Sequence, residues 1–329
     1  MILPSRPCRR VARRLLAAGI FLLALAGCAT PQLQALVERA PAGMPSRAEL
    51  DAVPFFAQDD HQCGPAALAM VLDAGGKSVT PEALRPQMYL PDREGTLQVE
   101  MLAAARRNGF VAVELNPQLP DVLAEIVAGN PVIVLHNLGL SWYPVWHYSV
   151  AVGYDLDARR IVLRSAKERR LEMSLRTFEY TWKRSGYWAM LALPPRRLPA
   201  SLGASEYLNA VAKLEQIGQR EAARVAYGTA LGRWPDNLVA LMGLGNTAYA
   251  AGDLKAAELA FRRATLVHPE AAAAHNNLAQ TLAELGSYDE AAAEARAAVG
   301  LGGPVKEISL RTLSTITARS VRGQQEGAQ

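Results

Sequence analysis

The sequence has 329 residues, half of them apolar and one fifth charged, which indicates two modest globular domains and excludes a disordered chain or a disulfide scaffold. Its 35 basic residues exceed its 31 acidic ones, but five of the arginines lie before residue 15. Without them the chain has 30 basic and 31 acidic residues and no basic cluster, so we predict no nucleic-acid partner.

Residues 1–27 have the pattern of a secretory signal peptide. Arginines precede an apolar run from Leu15 to Leu25 that is too short for a stable membrane anchor. The sequence LAGC at residues 25–28 resembles a bacterial lipobox, which implies cleavage before Cys28 and attachment of lipid to its thiol. We expect a protein anchored in the cell envelope and facing the periplasm, and Ala29 implies the outer membrane by analogy with lipoproteins. An ordinary cleavage site with an unmodified Cys28 is the alternative.

Two stretches divide the remaining chain. Residues 28–52 have weak periodicity and predict a tether, and three prolines between Leu193 and Pro199 interrupt both helix and sheet. A domain is therefore predicted at residues 53–197, with helices first and strands later. The helices are Cys63 to Leu72, a second from Thr80, Gly95 to Asn108 and Leu119 to Ala128; the strands are Pro131 to Leu135, His147 to Tyr154, Arg160 to Arg164 and Tyr187 to Leu193. The pattern predicts an α+β domain with an antiparallel sheet.

Cys63 is the candidate nucleophile of this domain. Once the signal is removed and Cys28 is lipidated, it is the remaining free thiol, and an oxidising compartment favours a reactive role for it over that of a small apolar side chain. It opens a helix with Pro65 in the first turn, and a helix N-terminus lowers the pKa of a thiol. Gln58, five residues earlier, is placed to donate its amide hydrogen to an oxyanion, together with the backbone N–H of Cys63.

Two segments carry a resemblance to a known family. They are Gln58-x4-Cys63-Gly64-Pro65-Ala66-Ala67-Leu68-Ala69-Met70 and His147-Tyr148-Ser149-Val150-Ala151-Val152-Gly153-Tyr154-Asp155. Together they resemble the bacteriocin-processing peptidase domain, a papain-like family that removes leader peptides after a double glycine and is often fused to export transporters. The resemblance spans residues 53 to 193. It implies a papain-like fold, the order cysteine before histidine, and cleavage of a peptide or protein substrate after Gly-Gly.

Five histidines are candidates for the base. His61 lies two residues from the thiol and cannot easily turn back to face it, and His268 and His275 lie in the repeat region at residues 204–305. His136 follows a buried strand at the cleft but precedes a loop rather than the family pattern. His147 opens a strand about where papain-like folds place their histidine. We predict that His147 is the base, and a half-buried core histidine is the alternative.

The third member of a catalytic triad is missing from its expected place. The family usually has Asp or Asn at the end of the next strand, where this chain has Leu163-Arg164-Ser165-Ala166-Lys167. Asp155 is too distant, because eight strand residues separate it from His147 by about 26 Å. Pairing of the two strands brings Ser165 near His147, and Glu168 is the nearest acid. Ser165 is therefore the predicted orienting residue, although a hydroxyl stabilises imidazolium less well than a carboxylate.

Residues 204–305 repeat with a period of 34. The positions in phase are Gly218, Gly252 and Gly286; Ala223, Ala257 and Ala291; Ala230, Ala264 and Ala298; Tyr227 and Phe261; Pro235 and Pro269. They resemble tetratricopeptide repeats, which implies three helix pairs in an all-α solenoid, with the first unit as a cap against the preceding domain. Chance periodicity in an alanine-rich bundle is the alternative. Residues 306–329 are predicted to be a C-terminal tail.

The repeats imply a protein partner. By resemblance, the inner face of the first helix in each unit forms a groove, and plain solvated surface is the alternative. The residues predicted to line this groove are Met242, Asn246, Tyr249, Asn276 and Gln280.

Two functions remain open on this sequence. In the first, Cys63 attacks a peptide carbonyl, His147 accepts and returns the proton, and no metal or organic cofactor is needed; Gln58 and Ser165 assist as described. The repeats then recruit the substrate or a partner. In the second, an inactive peptidase-like module binds a peptide without cutting it, and the repeats serve as a scaffold in an envelope complex.

Overall fold

A computed structural model describes residues 30–39, 41–57 and 62–326, with side chains as far as residue 321. The predicted signal peptide, Cys28, Gln58 and His61 lie outside these residues. No helix within the described ranges is long and apolar enough to cross a membrane.

The first half of the described chain is a seven-stranded antiparallel sheet with helices on both faces. The sheet order is β2-β7-β3-β4-β5-β6, and β1 pairs with the far end of β4. The elements are α1 (Pro31–Glu38), β1 (Arg47–Glu49), α2 (Cys63–Ala74), α3 (Pro81–Met88), α4 (Gln98–Arg107), β2 (Val111–Glu114), α5 (Leu119–Val127), β3 (Val132–Asn137), β4 (Trp146–Asp155), β5 (Arg160–Ser165), β6 (Glu168–Ser174), α6 (Leu175–Lys183) and β7 (Ala189–Leu193).

Apolar residues on alternate sides of the strands hold these layers together. Helix α2 is apolar around most of its circumference, and residues 64–72 are all buried in the core on one face of the sheet. The opposite face packs against α5 and α6, where Phe178 and Trp182 are fully buried. This arrangement confirms the predicted α+β class, and it places the start of α2 beside β4.

The predicted tether is part of this domain from Pro31 onward. The backbone N–H groups of Gln32 and Leu33, in the first turn of α1, donate to the buried carboxylate of Glu179 at 3.0 and 2.7 Å. Leu36 is buried, and β1 continues the docking by pairing with β4. The tether prediction was wrong here because the carboxylate that accepts from the free N–H groups at the start of α1 lies 146 residues further along the chain.

The second half is all helical and confirms the predicted repeats. Its helices are α7 (Ala204–Gln216), α8 (Arg220–Arg233), α9 (Leu238–Ala250), α10 (Leu254–Val267), α11 (Ala272–Glu284), α12 (Tyr288–Leu301) and α13 (Lys306–Glu326). Gly218, Gly252 and Gly286 join the helices of each pair at φ of +88°, +78° and +83°, a conformation that favours glycine.

The predicted C-terminal tail contains the 21-residue helix α13. Helices α7, α9, α11 and α13 begin at residues 204, 238, 272 and 306, so α13 continues the 34-residue period as the first helix of a fourth unit. It packs on the third unit through the buried Ile316, and the Arg319 guanidinium lies 2.9 Å from the Glu284 carboxylate. The tail was not recognised as a repeat because Ser320 and Gln325 stand where the period has glycine and alanine.

The first repeat packs directly on the sheet domain, as its predicted role as a cap requires. Apolar side chains of α7, including Tyr207 and Val211, share one continuous core with Val111 and Val113 of β2. The Gln219 side-chain amide donates to the Arg107 carbonyl at 3.1 Å. The two halves of the chain therefore meet through a packed apolar interface.

Candidate active site

Cys63 and His147 line one cavity of about 790 Å³ at the start of α2. One wall is the loop of residues 93–98, and the other includes Val145 and Trp146. Gly64 lets this loop approach the start of α2, since a Cβ at this position would lie 2.7 Å from Thr96 Oγ1. The predicted nucleophile and base are therefore brought to one site, whereas their catalytic roles stay predictions.

Cys63 is half-buried, and burial raises the pKa of its thiol above that of an ordinary cysteine. The backbone N–H groups of Tyr148, Gly64 and Cys63 hydrogen bond to the sulfur and oppose this shift without outweighing it. The predicted net lowering of the Cys63 pKa was therefore wrong, although the N–H groups at the start of α2 act in the predicted direction. Loss of water around the sulfur, which the sequence does not display, dominates.

His147 is held by two serines. Its Nε2 lies 2.9 Å from Ser165 Oγ, which in turn lies 3.0 Å from Ser149 Oγ. The first contact is the one that pairing of β4 with β5 predicts, and Ser149 was missed, although it lies two residues after His147 on the same face of β4. Burial lowers the pKa of His147. At neutral pH the site thus holds a neutral imidazole and a protonated thiol.

His136 is a buried core histidine directly opposite His147 in the β3–β4 pair. Its Nδ1 lies 2.9 Å from Thr181 Oγ1, which is itself 3.1 Å from the carbonyls of Thr177 and Phe178. Since the threonine has one hydroxyl hydrogen and gives it to a carbonyl, His136 donates through Nδ1–H. Burial, and secondarily the nearby His147, lowers the pKa of His136 to about 3. His136 is therefore neutral and does not contact the cavity.

Replacing His136 by leucine is expected to flatten the dependence of stability on pH. The folded-state pKa of about 3 lies below the ordinary value of about 6.5, so the unfolded chain binds a proton that the folded protein does not. The contribution of His136 to the free energy of unfolding therefore has its full value above about pH 6.5. As the pH drops toward 3, this contribution falls by at most about 1.4 kcal/mol per pH unit. Urea unfolding at pH 7, 5.5 and 4.5 measures the slope, and equal slopes in the two proteins contradict the assignment.

The other sequence candidates lie away from the cavity. Glu168, the nearest predicted acid, is exposed on the edge strand β6, and Asp155 pairs with Arg47 at 2.8 Å at the far end of β4. In the repeats, His268 Nε2 lies 2.6 Å from the Asp236 carbonyl, and His275 Nδ1 lies 2.6 Å from the Glu294 carboxylate.

The predicted partner groove is only partly open. Tyr249 and Gln280 line a cavity of about 390 Å³ whose remaining wall is mostly α13, and Gln280 Nε2 donates to Thr312 Oγ1 at 3.2 Å. Asn246 is exposed, Met242 is half-buried among apolar side chains, and Asn276 is buried. The prediction that Asn276 faces a partner was wrong, because this side chain lies inside the helix packing.

Comparisons with known proteins identify both halves of the chain. Residues 50–190 match the Peptidase_C39 like family, and residues 213–265 and 242–304 match the tetratricopeptide repeat. The comparison with curated proteins gives no match.

Solved structures resemble each half separately. A C39-like peptidase from Bacillus anthracis is 19% identical over 45% of this chain and 97% of its own, with a TM-score of 0.38. The peptidase domain of Streptococcus ComA, a bifunctional ABC transporter involved in quorum sensing, is 23% identical over 43% and 98%, with a TM-score of 0.36. The Yersinia enterocolitica translocator chaperone SycD is 21% identical over 37% and 90%, with a TM-score of 0.34.

Proposed function

Because the chain carries a Peptidase_C39-like domain followed by tetratricopeptide repeats, we propose that it is a cysteine peptidase acting on a peptide or protein in the cell envelope. The single observation that supports this most is the shared cavity of Cys63 and His147, with Ser165 holding the imidazole. We further propose that lipid at Cys28 anchors the chain facing the periplasm, and that the repeats recruit the substrate or a partner.

The reaction begins from the neutral pair. In this mechanism, His147 Nε2–H donates a hydrogen bond to Ser165 Oγ, and the Ser165 hydroxyl donates one to Ser149 Oγ. This arrangement leaves the lone pair of His147 Nδ1 free to accept a proton. The thiol proton moves to Nδ1 as the sulfur attacks the substrate carbonyl carbon.

The later steps follow from the same groups. The backbone N–H of Cys63, with the predicted Gln58 amide, stabilises the oxyanion. His147 returns its proton to the leaving amine as the C–N bond breaks. Water, activated by the same ring, then hydrolyses the thioester and restores the thiol.

One observation favours the alternative of a binding module without catalysis. The imidazole is oriented by a hydroxyl rather than a carboxylate, and burial favours the protonated form of Cys63. Both features lower the fraction of reactive thiolate relative to a site with an acid and a solvated sulfur. In this case the cavity holds a peptide segment and the repeats hold a second protein.

Comparing envelope peptides between cells with wild-type protein and cells with Cys63→Ala distinguishes the two functions. Labelling of new N-termini followed by mass spectrometry is expected to reveal at least one cleavage that is lost in Cys63→Ala. Leu266→Ala, a change at an exposed position of α10, is the matched control and retains the cleavage. Identical N-termini in wild type and Cys63→Ala would refute the peptidase and favour the binding module.

A further inference from the structure

A loop beside the active-site cavity exposes an unusual set of apolar side chains. Residues 138–146, here called the aromatic loop, comprise the connection from β3 and the first residue of β4 and contain no charged residue. Trp142 and Tyr143 are 81% and 69% exposed. The other exposed apolar side chains of the loop, each about half accessible, are Leu138, Leu140, Val145 and Trp146. Contiguous exposed apolar surface of this kind marks a contact with a partner or a membrane.

The backbone of the aromatic loop is ordered so that these side chains point outward. The buried Asn137 accepts hydrogen bonds from the N–H groups of Gly139 and Val145 at 3.0 Å each. Leu140 and Tyr143 exchange backbone hydrogen bonds at 3.0 and 3.1 Å. A side chain at Gly139 would place its Cβ 2.4 Å from the Tyr143 carbonyl oxygen, so the tight path requires glycine. The backbone of the loop thus uses its hydrogen-bonding groups internally, and this fixed path keeps the apolar side chains exposed.

The start of the docked chain lies near the same part of the domain. Two residues separate Cys28 from Pro31, which opens α1, so the three Cα–Cα steps between them span at most about 11 Å. The start of α1 is bound to Glu179 of α6, and Arg184, just beyond the end of α6, donates to the Gly139 carbonyl in the aromatic loop. Five helical residues correspond to about 7.5 Å along α6. The start of α1, which follows Cys28 by three chain positions, and the aromatic loop thus lie on adjoining parts of one surface.

The exposed side of α6 between them is basic. Arg176 and Lys183 are exposed, and Arg184 is half-buried. The acid of this helix, Glu179, is fully buried beneath α1, where it accepts hydrogen bonds. Tryptophan and tyrosine favour the interface between lipid and water, and basic side chains are attracted to anionic headgroups. The chemistry of this surface matches that of an anionic bilayer.

We propose that the aromatic loop and the basic side of α6 dock on an anionic phospholipid bilayer and fix the orientation of the domain on it. One consequence rests on the proposed peptidase function. Val145 and Trp146 of the aromatic loop also line the cavity of Cys63, so docking places the cavity beside the lipid surface. The substrates are then peptide segments held at the membrane.

Vesicle binding tests this docking without any need for catalysis. The chain from Ala29 onward keeps every described residue and lacks the lipid attachment site. It is expected to float with vesicles of phosphatidylethanolamine and phosphatidylglycerol, and less with phosphatidylcholine alone. Trp142→Ser with Tyr143→Ser is expected to weaken binding about ten-fold or more. Leu259→Ser with Leu266→Ser, which removes two equally exposed leucines of α10, is the control and binds as wild type.

The charge contribution and the intact protein provide two further measurements. Arg176→Glu with Lys183→Glu is expected to remove the preference for phosphatidylglycerol. In envelope membranes, the full chain with a photoreactive residue at position 142 is expected to crosslink to lipid, and at position 266 it is not. The proposal would be overturned if the unsubstituted chain did not bind vesicles, or if the loop variant bound them equally well. It would also be overturned if position 142 crosslinked to protein alone.

Discussion

Replacing His147 by alanine is expected to lower kcat/KM for the cleaved peptide about 10²–10⁴-fold, the usual contribution of a positioned base. Within the part of the chain that the structure describes, His147 is the histidine that lines the cavity of Cys63. Because burial keeps Cys63 protonated at neutral pH, attack requires a group that removes the proton during the step. The measurement is cleavage of the peptide found in the N-terminus comparison, with circular dichroism to establish that the variant is folded.

Substitutions at Ser165 distinguish two roles of His147, that of a base oriented by a hydroxyl and that of a purely structural side chain. Ser165→Ala is expected to lower kcat with little change in KM, because Nε2 loses its partner while the cavity walls stay in place. Ser165→Asp adds a carboxylate beside the ring and raises the pKa of His147. As the pH falls, the ring of His147 then becomes protonated at a higher pH than in wild type. The acidic limb of the activity–pH profile therefore shifts to higher pH. An unchanged profile in Ser165→Asp, or full activity in His147→Ala, would exclude His147 as the base.

Features that depend on neighbouring residues were predictable from the sequence. The apolar run after Cys63 predicted helix α2, and the turn at Asp155 predicted the β4–β5 hairpin. The register of this hairpin in turn predicted the contact between Ser165 and His147. The repeats were predictable because small residues recur wherever two helices must approach closely. Ala223, Ala257 and Ala291 are an example, since all three are fully buried in the helix packing.

Features that depend on distant partners were not predictable. Strand β6 carries charged residues on an exposed edge and turns only the half-buried Leu171 and Met173 toward the core, so its apolar pattern is weak. Helix α1 is too short to be stable alone and forms on Glu179. The pKa of Cys63 follows the loss of water around the sulfur, which several separate segments produce together. Motif and helix position alone therefore give the wrong sign.

Glu125 is expected to be among the most sensitive positions for stability, because one buried carboxylate joins the two halves of the chain. Its Oε1 accepts from the N–H groups of Ala200 and Ser201 at 2.8 and 2.7 Å and from the Ser201 hydroxyl at 2.6 Å. Its Oε2 accepts from Asn130 Nδ2 at 2.7 Å. Glu125→Ala removes the acceptor of all four hydrogen bonds, and we expect the free energy of unfolding to fall by on the order of 3–5 kcal/mol.

The location of this loss is measurable as well as its size. Ala200 and Ser201, which donate to Glu125, lie between β7 and α7, next to the exposed Arg196 and Arg197, so opening of this segment is expected to increase trypsin cleavage there. Urea unfolding gives the total change. Glu221→Ala, which removes an exposed ion pair with Arg224, is the matched control and is expected to alter neither measurement appreciably. If Glu125→Ala unfolds at the wild-type urea concentration and resists trypsin equally, the apolar contacts of α7 with β2 hold the two halves together without this carboxylate.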